Sequence, residues 1–96
     1  MNRLEIQLKL KAEAETLNRL GVASLKIFGS AARDQAGPGS DVDFLVRFQN
    51  PPSYDRFMDL KFHLETVLGL KVDLVTEDAL RPEMRPTIER DSLLVA

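Results

Sequence analysis

The sequence predicts an α/β (α+β) fold: a small mixed β-sheet of three to four strands with helices packed on it, in the order α-β-α-β-α-β-α with an optional closing strand. Three observations predict it. Apolar runs at 22–28, 42–48 and 70–75 have strand length and strand composition. Two stretches with helical apolar spacing, 3–20 and 54–68, lie between or before them. Each of those stretches stops at a glycine, Gly21 and Gly69, where a helix commonly ends. The 96 residues suit one domain spanning 1–96, since domains commonly run about 50 to 250 residues.

Residues 3–20 carry two periodicities. Leu4, Ile6, Leu8 and Leu10 alternate with polar residues, as in a strand. Ile6, Leu10, Ala14, Leu17 and Leu20 fall on one helical stripe, and the Glu, Lys, Gln, Leu and Ala content favours helix. A single helix to Leu20 is therefore expected, with Leu4 and Leu8 off its apolar face, either covered by long side chains or used as a subunit contact. The first strand follows over Val22–Phe28, and Ser30 can cap a short helix after it. Gln35–Ser40 (Gln-Ala-Gly-Pro-Gly-Ser) is a loop by turn chemistry. In the strand Val42–Phe48, the set Val42, Phe44, Val46, Phe48 faces a core; Asp43, Leu45 and Arg47 face a cleft. Ser53 caps a helix over Tyr54–Leu68, whose stripe is Phe57, Leu60, Leu64 and Val67 or Leu68. His63 lies off that stripe, as a surface residue, and Tyr54 is expected to pack against the helix. Leu70–Val75 is the third strand. Thr76 caps a turn through Ala79, Pro86 limits the last helix to about 86–90, and Ser92–Val95 can close as a strand.

Composition narrows the function classes. The apolar share is 44% and the charged share 29%, ordinary for a globular protein. A net charge of −2 argues against a general nucleic-acid binder, although Arg81, Arg85 and Arg90 make the C-terminal region locally basic. The chain has no cysteine, hence no disulfide framework and no thiolate metal site. No secretory leader and no apolar run of about 18 residues is visible, so a cytoplasmic protein with no membrane association is expected.

The chemistry concentrates between Leu25 and Val75. Asp41 and Asp43, two apart on a strand, project to one face about 6.5 Å apart along the chain. Like charges that close repel unless a cation lies between them, and a hard divalent ion with oxygen ligands such as Mg²⁺ is the common solution. Asp73 sits within an apolar strand, where a carboxylate needs a partner. Asp41, Asp43 and Asp73 are thus candidate metal ligands and catalytic acids for phosphoryl or nucleotidyl transfer. Gly29 permits a sharp turn and close approach to a ligand. Ser30 can offer a hydroxyl and nearby amides to a phosphate. Arg33 can fork onto a triphosphate. Ser40 would stand beside the carboxylates.

Phe28-Gly29-Ser30, a gap to Ser40-Asp41-Val42-Asp43, and Asp73 on a later strand resemble the minimal nucleotidyltransferase (MNT) family of the polymerase-β-like superfamily. Ala31 stands where many members carry a second basic residue, and Asp34 where glycine often follows the arginine. The resemblance implies the nucleotidyltransferase fold, two Mg²⁺ ions held by Asp41, Asp43 and Asp73, and a nucleotide held by Gly29, Ser30, Arg33 and Ser40. It implies transfer of AMP from ATP, with release of pyrophosphate. It also implies an antitoxin acting on a tyrosine of a HEPN toxin partner. Two other readings stay open: an antitoxin that acts by binding alone, and an enzyme that modifies a small molecule.

Overall fold

Alternating apolar residues generate a four-stranded mixed sheet in the order β3-β2-β1-β4, from β1 (Val22–Phe28), β2 (Val42–Phe48), β3 (Val72–Thr76) and β4 (Leu93–Leu94). The computed structural model describes residues 2–29 and 41–96. β1 runs antiparallel to β2 and to β4; β2 and β3 are parallel. The short helix expected after Ser30 and the loop to Ser40 lie outside the described residues.

Two helices, α1 (Arg3–Lys11) and α2 (Ala14–Arg19), replace the single helix expected up to Leu20. The apolar stripe is kept across the break: Ile6, Leu10 and Leu17 are all buried. Asn2 starts α1, its Oδ1 accepting the Glu5 amide at 2.9 Å. The alternation that imitates a strand arises because Leu4 and Leu8, each 59% exposed, lie one turn apart on the outer face of α1.

α3 (Tyr54–Leu68) has the predicted ends. Ser53 Oγ accepts the Arg56 amide at 3.1 Å, and Gly69 closes the helix in the left-handed region at φ 66°. Leu60, Leu64 and Leu68 face the core and Phe57 and Val67 pack at its margin. Tyr54, expected to pack, is 76% exposed on the first turn. His63 is not a free surface residue: its Nε2 lies 3.1 Å from Glu13 Oε1, joining α3 to the junction of α1 and α2. Ser53→Ala should cost about 1 kcal/mol, because the Arg56 amide loses its acceptor; a urea melt would read it.

The core lies between α1, α2 and α3 and one face of the sheet. Leu25 and Ile27 from β1, Val42, Phe44 and Val46 from β2, and Val72 and Leu74 from β3 supply its sheet side. An irregularity at Ala23, between the pairs Val22↔Phe48 and Ser24↔Arg47, lets Val22 join the same face as Leu25. The opposite face carries Lys26, Phe28, Asp43, Leu45, Arg47 and Asp73 by strand parity. That face is not wholly a cleft: Leu45 is only 2% exposed.

After β3, a 3₁₀ turn (Glu77–Ala79) and α4 (Arg85–Asp91) return the chain to β4. Pro86 occupies the first turn of α4, where its missing N–H does no harm. Thr76 ends β3 and makes no side-chain cap. Arg85 instead braces the turn, its Nη2 donating to the Glu77 carbonyl at 3.3 Å. Each outer strand is also held by a helix side chain. Gln7 Nε2 donates to the Leu94 carbonyl at 3.3 Å, and Glu65 Oε2 accepts the Val72 amide at 3.0 Å. Among the described residues no helix is long and apolar enough to cross a membrane.

Candidate active site

Strand register places the acidic residues. β2 and β3 are parallel with Asp43 directly across from Asp73. Directly paired residues project to the same face, and neighbouring strands lie about 4.8 Å apart. The two carboxylates therefore stand side by side, although thirty residues separate them in the chain. Asp41 precedes β2 and shares the parity of Asp43. Val42 and Val72, next to these acids, point the other way into the core and fix both strands.

The electrostatics agree with this placement. The Asp43 carboxyl is held above the usual carboxylate range. Burial is the largest cause, since it withholds water from the charged form; the negative charges of Asp73 and Asp41 follow, and a side-chain hydrogen bond with Asp73 adds to them. Asp43 is half-buried, while Asp41 and Asp73 are exposed, so the central acid is shielded and its two neighbours face outward.

Gly29 forms the wall beside them. Phe28 is directly across from Asp43 on β1, and the chain turns immediately afterwards. Gly29 has φ 69°, and a β-carbon there would lie 2.7 Å from Asp43 Oδ2. Only a residue without a side chain allows the backbone this close to the carboxylate. Ser30, Arg33 and Ser40 lie outside the described residues.

All three acids are oxygen donors, the ligand type of Mg²⁺ and Ca²⁺ rather than of zinc. Among the described residues no three such groups already form a closed cation cage. The arrangement is a pair of neighbouring carboxyls with a third acid in electrostatic range. A divalent ion bound beside them would relieve the repulsion that raises Asp43. Sequence reasoning missed Glu65. Its partner is a backbone amide, and a glutamate late in a helix carries no mark of that role.

The mixed sheet and its helices have the nucleotidyltransferase fold. The chain belongs to the nucleotidyltransferase domain family, whose pattern it matches over residues 8–95. It is 40% identical over 92 residues to the protein adenylyltransferase MntA of Thermococcus cleftensis, covering 95% of this chain and 93% of that one. It is 43% identical over 75 residues to a Methanocaldococcus jannaschii protein provisionally named a protein adenylyltransferase, covering 77% and 76% of the two chains. A solved structure provisionally described as a minimal nucleotidyltransferase superposes with a TM-score of 0.84 at 32% identity, covering 97% of this chain and 95% of that one. A chain from the Shewanella oneidensis complex of a tri-AMPylated HEPN toxin with an MNT antitoxin superposes with a TM-score of 0.67, covering 95% of this chain and 71% of that one. At 17% identity this last likeness establishes the shared fold.

Proposed function

We propose that this protein is a Mg²⁺-dependent adenylyltransferase that moves AMP from ATP to a tyrosine hydroxyl of a HEPN toxin and so acts as its antitoxin. The pairing of Asp43 with Asp73 across β2 and β3 carries the reading. The adenylyltransferase name of the Thermococcus cleftensis relative supports the reaction, and the HEPN–MNT complex of shared fold supports the partner.

Asp41 and Asp43 would hold the metal, and Asp73 would complete its shell. Bound magnesium, two ions by family resemblance, would neutralise the triphosphate and stabilise the charge developing on the attacking and leaving oxygens. Gly29, by keeping a side chain away from Asp43, leaves room for the phosphates. Ser30, Arg33 and Ser40 are the proposed nucleotide contacts. Asp73 would accept the proton of the incoming hydroxyl. That oxygen then attacks the α-phosphorus, the bond to the bridging oxygen of the β-phosphate breaks, and pyrophosphate leaves.

The test uses ATP labelled in its α-phosphate, Mg²⁺, and the protein encoded by the adjacent reading frame. Label is expected on a tyrosine of that protein, and Asp41→Asn should abolish labelling without preventing the complex. A stable, silencing complex that never acquires label would replace catalysis with occlusion. Label found only in a small-molecule product would move the acceptor out of the protein class.

A further inference from the structure

Glu65 lies on the last turns of α3, away from the three aspartates in the chain, and is only half-buried. Two of its atoms govern how α3 hands over to β3. Its backbone carbonyl accepts the Gly69 amide at 2.8 Å. Its side-chain Oε2 accepts the Val72 amide at 3.0 Å. The intervening segment turns at left-handed Gly69 and enters the sheet where the Lys71 carbonyl accepts the Val42 amide at 2.9 Å. The start of β3 is thus fastened on one side by β2 and on the other by Glu65. The next residue is Asp73.

We propose that Glu65 is a positioning residue for nucleotidyl transfer: it fixes the pitch of β3 at Val72 and thereby aims the Asp73 carboxylate at Asp43. The proposal rests on the catalytic reading of Asp73 given above. β3 is an edge strand, so β2 alone would hold its first residues. A parallel ladder bonds only every second residue of a strand to a given neighbour. Val72 presents its amide away from β2, and Glu65 takes that free donor. Loss of a partner bonded directly to a metal ligand commonly costs about 10- to 100-fold in metal affinity or activity; Glu65 acts one residue removed, through the backbone of Val72.

Three variants separate the possibilities. Glu65→Leu keeps the bulk and removes the acceptor. Glu65→Gln keeps an acceptor oxygen without charge. Glu65→Asp shortens the reach by one methylene. Glu65→Leu should lower kcat by about 10-fold or more and raise the half-saturating Mg²⁺ concentration by a similar factor, with the KM for ATP little changed. Glu65→Gln should restore both values. Hydrogen exchange at the Val72 amide, measured without metal or nucleotide, should accelerate in the leucine variant and not in the glutamine variant. Should the leucine variant fail to fold, the aspartate variant gives the same three readouts. Wild-type Mg²⁺ dependence with the contact removed would overturn the proposal, as would a glutamine variant as impaired as the leucine one. Full transfer by Asp73→Asn would sink the catalytic reading instead, while Val72 exchange would still report the contact.

Discussion

Asp43→Asn is expected to abolish nucleotidyl transfer and, in the same molecule, to make the metal-free fold more stable. Transfer is lost with the proposed metal ligand; the gain in stability comes from relieving the crowding of Asp43 by burial and by the charges of Asp73 and Asp41. A carboxyl whose folded pKa is raised holds its proton longer in the folded than in the unfolded state. Its destabilising effect is absent below about pH 4, grows as pH rises through the folded value, and is complete above it. The neutral amide removes that effect. The site is partly exposed, so solvent screens the effect and the gain at neutral pH is a small rise in Tm. Melts in EDTA from pH 4 to 8 should therefore show a smaller loss of stability with rising pH for the variant. Mg²⁺ should raise the Tm of the wild type and leave the variant nearly unmoved. Transfer should fall by about 10³-fold or more, as when a group that stabilises the transition state is removed. An Asp43→Asn variant that transfers AMP normally would end the metal-site reading; one that is less stable in EDTA at pH 7 would refute the electrostatic account.

Gly29→Ala should be nearly as damaging to activity, by geometry rather than charge. The new methyl would stand 2.7 Å from Asp43 Oδ2, closer than real contacts of this kind. The backbone there is left-handed at φ 69°, which costs a residue with a β-carbon roughly 1–2 kcal/mol. Relief requires either the turn or the carboxylate to move. A displacement of about 1 Å is enough to cost on the order of 10²-fold in rate. Single-turnover transfer should drop by that factor, with Tm lower by several degrees. An alanine variant with unchanged kcat would mean that the turn tolerates far more than its geometry allows.

The elements legible in the sequence were those with punctuation at both ends. α3 was bounded by Ser53 and Gly69, and its ends follow. β2 alternated cleanly from Val42 to Phe48, and it forms there. The break between α1 and α2 was invisible because residues 12–13, Ala-Glu, are good helix formers and no glycine or proline marks them. Glu13 begins α2 without a side-chain cap. Its carboxylate approaches His63 instead, a pairing that depends on how the helices pack. Leu45 reads as a cleft residue by parity, yet it is buried, because parity assigns a face and not what covers that face. Asp41 and Asp43 signal each other locally. The alignment of Asp73 with Asp43 depends on a parallel register set by packing across α3, so the sequence could suggest a third acid but not its partner.

The irregularity at Ala23 gives the first strand an unequal tolerance of changes in length. Ala23 is the one residue of β1 without an opposite number on β2, since Val22 faces Phe48 and Ser24 faces Arg47. Its removal would leave Val22, Ser24 and Leu25 in plain alternation, with every later residue still beside its present neighbour. Removal of Lys26 would instead set the two ends of the strand against each other: either Val22 and Leu25 leave the core or Phe28 and Gly29 leave the catalytic side, and if the irregularity is used up Leu25 turns outward and Ser24 inward. Chains shortened by one residue at 23 should therefore fold and keep their turn beside Asp43, whereas the same shortening a few positions later should not.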